Sequence, residues 1–269
     1  MKTFTVKTST SLKEFTDCTY PQGSFVYATL LKKGDIRVNG VRCHKDCKLN
    51  AGDQVVYYTT PAQEGKASHY VVYEDEKILV ADKLSGVSSE ALFSELGNIA
   101  SFPVHRLDRN TAGLIVVAKT ESAQQLLTDA FKDRTVEKIY YCLAKNNFKK
   151  QSDTLTAYLF KDGGGTVKIY DKPAEGRVKI ITSYAVEREE GDIALVKVIL
   201  HTGKTHQIRA HLAFIGCPVL GDTKYGNFAL NKKYAATRQR LVATSLKFDL
   251  SGELSYLNDK TFKSSFTLE

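Results

Sequence analysis

No run of apolar residues in this chain reaches the ~18 consecutive positions that a membrane-spanning helix needs, so a membrane role has no support. The Met1 end lacks a basic stretch followed by an apolar core. The five cysteines, Cys18, Cys43, Cys47, Cys142 and Cys217, are an odd number that cannot all pair within one chain. Both features favour a reducing compartment, and the cytoplasm is the expected location. Internal repeats and low-complexity tracts are also missing, which excludes solenoid architectures. A phosphate-binding loop ending at Gly203-Lys204-Thr205 would need a glycine five residues before Gly203, and Val198 stands there, so nothing points to NTP hydrolysis. His201, His206 and His211 recur every five residues, which on a helix sets neighbours about 140° apart, too far round to share one metal. Cys43, His44 and Cys47 give at most three ligands at a non-standard spacing. No metal and no cofactor are expected.

What is present is the ordinary balance of a chain with a sizeable core: 269 residues, 42% apolar and 25% charged. The 38 Lys and Arg against 30 Asp and Glu give a net charge of +8, which attracts a polyanion without naming one. Residues 1–60 hold nine of the basic and five of the acidic side chains, half of that net charge in under a quarter of the length. They are expected to form a small basic module. Within it, Leu30–Tyr58 reads as a short helix followed by small strands, turned at Asn39-Gly40 and Gly52-Asp53. The polar Thr59–Ser68 stretch marks a boundary, with a linker at 61–68 and a second domain over 69–269.

In that second domain Tyr70–Tyr73 and Ile78–Ala81 flank a charged turn, and Ala112–Ala118 is a wholly apolar run of strand length. Ser122–Lys132 carries Leu126, Leu127, Ala130 and Phe131 at helical spacing. Further strands are predicted at Glu137–Ala144, Thr154–Phe160, Arg177–Val186, Ile193–His201 and Leu241–Phe248, with a helix over Thr205–Ile215. Strands outnumber helices without regular alternation, which predicts an α+β fold with a mixed, largely antiparallel sheet and flanking helices. Gly163-Gly164-Gly165, with no helix after it, reads as a flexible hairpin loop rather than an anion cradle.

Three stretches carry chemistry. In Pro103–Lys119 (PVHRLDRNTAGLIVVAK), His105, Arg106, Asp108 and Arg109 stand directly before the buried strand, so a rigid element holds the acid at the rim of the core. On charge pattern alone, an acid between two arginines is more often a structural ion pair or a turn residue. The second cluster, HTGKTHQIRAH from His201 to His211, packs five basic or imidazole side chains and three polar ones into eleven residues, more than a structural helix needs. The third is Lys138-Ile139-Tyr140 in a strand opened by Glu137; any one of the 14 tyrosines is by frequency a core residue with a satisfied hydroxyl.

HRLDRNTAGLIVVAK, FKDRTVEKIY and HTGKTHQIRAHLAFIGCPVLGDTKYG, in that order, resemble the RluA-type RNA pseudouridine synthases. The resemblance implies the pseudouridine synthase fold with a central RNA-binding cleft. It also implies a cofactor-free isomerase that detaches uracil from its ribose at N1, turns it and rejoins it through C5. By resemblance Asp108 is the essential carboxylate, Tyr140 the aromatic that stacks on the target base, and Arg209 the partner of Asp108. Arg106 matches the position that enters the RNA stack. Candidate RNA contacts are His105, Arg106, Arg109, Lys138, Lys204, His206 and Gln207. In residues 1–60, LLKKGDIRVNG followed by KLNAGDQV is similar to an S4-type RNA-binding domain, with Lys32, Lys33 and Arg37 as its contacts, although the usual opening helix is not evident in Thr8–Thr29. Two positions depart from the family pattern: Lys83-Leu84-Ser85-Gly86 lacks a proline, and Arg240-Leu241-Val242-Ala243 lacks a histidine. The expected partner is structured RNA, ribosomal or transfer, and a monomer is favoured. The rival from another class is a catalytically inactive RNA-binding protein of the same fold, and a second rival is a nucleoside hydrolase.

Overall fold

The computed structural model describes residues 1–97, 99–162 and 166–268, and the Gly163-Gly164-Gly165 loop lies outside them. An 11-stranded sheet dominates. Along its main path the strands run Val167–Tyr170, Ser152–Lys161, Val178–Glu190, Ile193–Leu200, Val136–Lys145, Leu241–Phe248, Ala112–Ala118, Ile78–Lys83 and His69–Glu74. Every pairing along that path is antiparallel except the junction of Ala112–Ala118 with Leu241–Phe248, so the sheet is mixed and largely antiparallel.

The wholly apolar strand at Ala112–Ala118 follows from burial on both faces. Leu114 and Val116, with Ile78 and Val80 of the neighbouring strand, pack under the helix Glu121–Asp133 through its Ala123, Leu127 and Ala130. The alternate residues Ile115 and Val117, with Leu79 and Ala81, face the opposite core, where the helix Ser89–Leu96 contributes Ala91, Leu92 and Leu96. Each such aliphatic side chain stabilises the fold by roughly 1.5–3 kcal/mol, so one strand anchors both layers. At the parallel junction Gly113 (φ +110°) lies against Ala243, where an added Cβ would sit 2.2 Å from the Ala243 carbonyl oxygen. Only glycine lets the backbones approach this closely.

Residues of the amino-terminal sixty build a separate four-stranded sheet, in the order Lys2–Thr5, Gln54–Tyr57, Ile36–Val38 and Val41–Cys43, over its own core of Leu12, Phe15, Leu30, Ile36, Val55 and Tyr57. Two helices, Leu12–Thr19 and Pro21–Phe25, occupy the stretch that carries no evident helix in the sequence. The Ser11 side chain caps the first by accepting from the Glu14 N–H, and its buried face is Leu12, Phe15, Thr16 and Asp17, where a charged residue interrupts the apolar pattern. The segment read as a linker also contains a one-turn helix, Pro61–Glu64, closed by a capping box from Thr60 and Gln63. Glu64 accepts hydrogen bonds from the Tyr20 and Thr59 hydroxyls, tying this segment back to the module. Among the described residues no helix is long and apolar enough to cross a membrane.

Candidate active site

The loop leading into Ala112–Ala118 is held from behind by groups that leave its acid facing outward. The Ser89 hydroxyl donates to the Leu107 carbonyl (2.9 Å) and accepts from the Leu107 N–H (3.0 Å). The carbonyl of Arg109 accepts from the Gly86 N–H (2.8 Å) and from the Lys83 ammonium (3.2 Å). Lys83 is fully buried and also donates to the carbonyls of Val87 (2.7 Å) and Leu84 (3.2 Å); burial pushes its pKa down to about 7, with the Asp108 charge opposing that shift. The Thr111 N–H donates to the Asp108 carbonyl (3.0 Å), closing a turn that leaves Asp108 partly exposed at its tip.

Opposite it stands the helix Gln207–Phe214. Arg209, in its first turn, is buried and reaches two carboxylates at once. Nη1 donates to Asp108 Oδ2 at 2.8 Å, while Nε and Nη2 donate to Asp222 Oδ2 and Oδ1 at 2.7 and 3.0 Å. The Asp222 carboxylate is wholly buried and accepts further bonds from the N–H groups of Lys224 (2.8 Å) and Tyr225 (3.1 Å). Burial works to raise the pKa of Asp222, but the bonds and charge of Arg209 outweigh it and hold the group below the usual range. For Arg209, burial works downward and the two carboxylates raise its pKa on balance. The cation therefore stays charged and fixes the Asp108 rotamer.

Before the helix, His206 takes the left-handed conformation (φ 54°), an uncommon one for a side-chain-bearing residue. Its Nδ1 meets the Tyr225 hydroxyl at 2.9 Å and its Nε2 lies 4.0 Å from Asp108 Oδ1, the oxygen that Arg209 leaves free. Burial lowers the His206 pKa against the pull of Asp108, which keeps the imidazole neutral near pH 7.

Asp108, Arg209 and Tyr140 line one cavity of about 450 Å³. Tyr140 is buried in the strand Val136–Lys145, and its hydroxyl makes no hydrogen bond to any described residue. Burial, and then the Asp108 charge, push its phenol above the usual range, so it stays neutral. Arg106, Lys132, Arg134, Lys138, Lys204 and Arg209 also line the cavity, and Asp108 is the one acid among the described residues that do. The result is a single anion set in a basic bowl, suited to a substrate of dispersed negative charge.

Arg106 is exposed and pairs with Glu90 at 2.9 Å, a surface contact worth ~0–1 kcal/mol that a ligand can displace. Lys138 is buried, donates to the Val136 carbonyl (3.3 Å) and lies 5.4 Å over the Phe131 ring. Lys204 is exposed at the rim. Three expected RNA contacts are otherwise engaged. The His105 ring stacks on Phe131 (4.5 Å between centroids) and its Nε2 accepts from the Val116 N–H (2.9 Å), so it fixes the edge of the strand Ala112–Ala118. The Gln207 amide donates to Ile181 and Thr182 and accepts from Thr202 and the Lys204 N–H, closing the loop before the helix. Arg109 does not line the cavity at all: it turns away to grip Asp17 with Nη2 at 2.7 and 2.9 Å. Lys32 and Lys33 are exposed at the end of the helix Tyr27–Lys33, and the Arg37 guanidinium lies 5.0 Å over the Tyr58 ring.

Sequence reasoning missed Asp222, Tyr225, Lys132 and Arg134. Asp222 lies inside the GDTKYG stretch, 13 residues from Arg209, where an acid between Gly221 and the Lys224-Tyr225 pair was the available signal. Lys132 and Arg134 close the helix Glu121–Asp133, where basic residues also complement the helix dipole and so have an ordinary explanation.

The family model described as RNA pseudouridylate synthase matches residues 56–214 of this chain. Among curated proteins, ribosomal large subunit pseudouridine synthase C of Vibrio cholerae is 31% identical, the match covering 84% of this chain and 80% of that protein. An uncharacterized RNA pseudouridine synthase of Aquifex aeolicus is 33% identical over 80% of this chain and 76% of its own. Among solved structures, human RNA pseudouridylate synthase domain containing 1 superposes with a TM-score of 0.60 at 26% identity, covering 68% of this chain and 79% of that one. A family match across more than half of the chain, over a sheet of the same fold, leads to one statement: this chain belongs to the RNA pseudouridylate synthases.

Proposed function

We propose that the chain converts uridine to pseudouridine in the RNA of the large ribosomal subunit, with Asp108 as the catalytic carboxylate and no cofactor. The observation that carries the reading is the convergence of Asp108, Arg209 and Tyr140 on one basic cavity. The substrate class follows the relatives whose names specify the ribosomal large subunit.

Breaking the N1–C1′ bond develops positive charge on the sugar, and a carboxylate beside C1′ or C2′ stabilises that charge, adds to the carbon or removes a proton. Arg209 holds Oδ2, so Oδ1 is the oxygen presented to the sugar. The detached uracil turns, C5 bonds to C1′, the C5 proton leaves to solvent and N1, freed of the sugar, takes one up, so the atoms balance with no co-reactant. Extruding a stacked uridine costs a few kcal/mol, which stacking on Tyr140 offsets by about 1–3 kcal/mol. Arg106, at the exposed rim, is placed to fill the gap in the RNA stack. Residues 1–60, with Lys32, Lys33 and Arg37, act in this reading as an S4-like module that adds RNA contacts.

The test is Asp108→Asn in a C5-tritium release assay. Release should stop while RNA binding changes by no more than about threefold, since a phosphate-binding surface has no use for an anion. Full activity of that variant refutes the assignment, and release of free uracil by the parent chain would make it a hydrolase.

A further inference from the structure

The amino-terminal module meets the catalytic sheet through an ion pair that ends on the residue next to Asp108. Asp17, on the helix Leu12–Thr19, is buried and accepts from Arg109 Nη2 on both of its oxygens (2.7 and 2.9 Å), with further bonds from the Ser24 hydroxyl and the Lys13 ammonium. Arg109 Nη1 donates across the same boundary to the Ser24 carbonyl (3.0 Å), and the Ser94 hydroxyl donates to the Cys18 carbonyl (2.8 Å). Phe25 of the module sits in the core cluster of the large sheet, beside the helix Ser89–Leu96. Arg109 is thus fixed at both ends, its guanidinium by Asp17 and its carbonyl by Gly86 and Lys83.

We infer that Asp17 is a positioning residue for the reaction, acting through Arg109 to hold the Asp108 loop. This rests on the reading of Asp108 as the catalytic carboxylate. Two physical effects combine. Holding Arg109 at its side chain and its carbonyl restricts its backbone, and the peptide it shares with Asp108, whose carbonyl accepts from the Thr111 N–H, is restricted with it. Asp17 also neutralises Arg109, which otherwise would be a second cation next to the nucleophile and would compete with Arg209 for it. The module is then an integral brace of the catalytic loop.

The test uses the full chain and a C5-tritiated ribosomal RNA transcript that the parent enzyme modifies. Single-turnover rates at saturating enzyme are measured beside RNA affinity by filter binding. Asp17→Asn should lower the saturated rate by about tenfold or more, as expected for a misplaced reacting group, with affinity unchanged within about threefold. Arg109→Lys, which keeps a cation for Asp17 but gives up the two-pronged grip, should lose rate in the same way and decides the question if Asp17→Asn fails to fold. Combining the two should cost no more than the worse single change. Lys13→Ala, which removes another partner of Asp17 on the surface side (2.6 Å), should leave the rate unchanged. The inference is overturned if Asp17→Asn and Arg109→Lys match the parent at saturation, or lose affinity alone. Asp108→Asn, run alongside, separates the two ideas: an inactive Asp108→Asn with a fully active Asp17→Asn removes this inference only, whereas an active Asp108→Asn removes the reading beneath it.

Discussion

Replacing Asp222 by Asn keeps the shape of the side chain and removes one of the two anions that share Arg209. The wild-type carboxylate receives four N–H groups, two from Arg209 and two from the backbone at Lys224 and Tyr225. An amide offers one oxygen. With that oxygen at the Oδ1 position the NH2 faces Arg209 Nε, and with it at Oδ2 the NH2 faces Nη2 and both backbone donors. Either orientation leaves at least one buried donor unpaired, and the lost bond is charge-assisted, a cost of about 2–3 kcal/mol. Arg209 keeps Asp108 as a counter-ion, so the larger penalty of an isolated buried charge does not apply. For a chain of this size the loss lowers the melting temperature by about 4–12 °C. Arg209 loses its second anchor, and a shift of ~1 Å at Asp108 lowers the single-turnover rate by up to ~10²-fold. Thermal unfolding and tritium release at saturating enzyme measure the two effects. A variant within about 2 °C of the parent and within about threefold of its rate would refute the shared-arginine argument.

Further outcomes follow from other contacts. Tyr225→Phe removes the hydroxyl that meets His206 Nδ1 and accepts from the Val167 N–H (3.3 Å). It should cost about 1 kcal/mol of stability and release the imidazole tautomer, read as a change in the 15N shifts of His206 from a pattern protonated at Nε2. A parent spectrum protonated at Nδ1 contradicts this. His211 is buried against the Thr182 hydroxyl, and burial holds its pKa down to about 4. Its folded pKa lies below the unfolded one, so its contribution is complete above ~6.5 and is lost as pH falls toward and through about 4, a change of about 3 kcal/mol. Denaturant unfolding from pH 7 to 4 should show a slope of this sense, and His211→Gln should lessen it by about that amount, the share of His105, which burial pushes down to about 3, remaining. Gly113→Ala places a methyl against the Ala243 backbone at a positive φ, and a loss of about 3 kcal/mol or more is expected in denaturant melts, with wild-type stability counting against the close-approach argument.

Much of the sheet was legible because its patterns are local. Ala112–Ala118 and Leu241–Phe248 fall on the residues that their apolar runs predicted, and Glu121–Asp133 lies within a residue of the helical spacing at each end. The helix Leu12–Thr19 was hidden because it is only eight residues long and its buried face includes Asp17, a charge where the pattern calls for an apolar residue. Charge, by contrast, carries a sign and no address. Arg109 looked like an RNA contact because its partner Asp17 lies 92 residues earlier in the chain. Asp222 was passed over for the same reason, since its meaning depends on a guanidinium whose other hand reaches 101 residues back to Asp108.

The parallel seam between Ala112–Ala118 and Leu241–Phe248 bears on the order in which the protein is made. Leu241–Phe248, a strand late in the sequence, is inserted between Ala112–Ala118 and Val136–Lys145, at the middle of the sheet. A ribosome-bound chain that has reached residue 240 therefore holds two half-sheets with open inner edges, each a template for wrong pairing. Asp108 hangs from one half, and Tyr140 and Arg209 belong to the other, so within the sheet the two sides of the cavity are joined through Leu241–Phe248. The cavity is in this sense assembled across a seam rather than within either half.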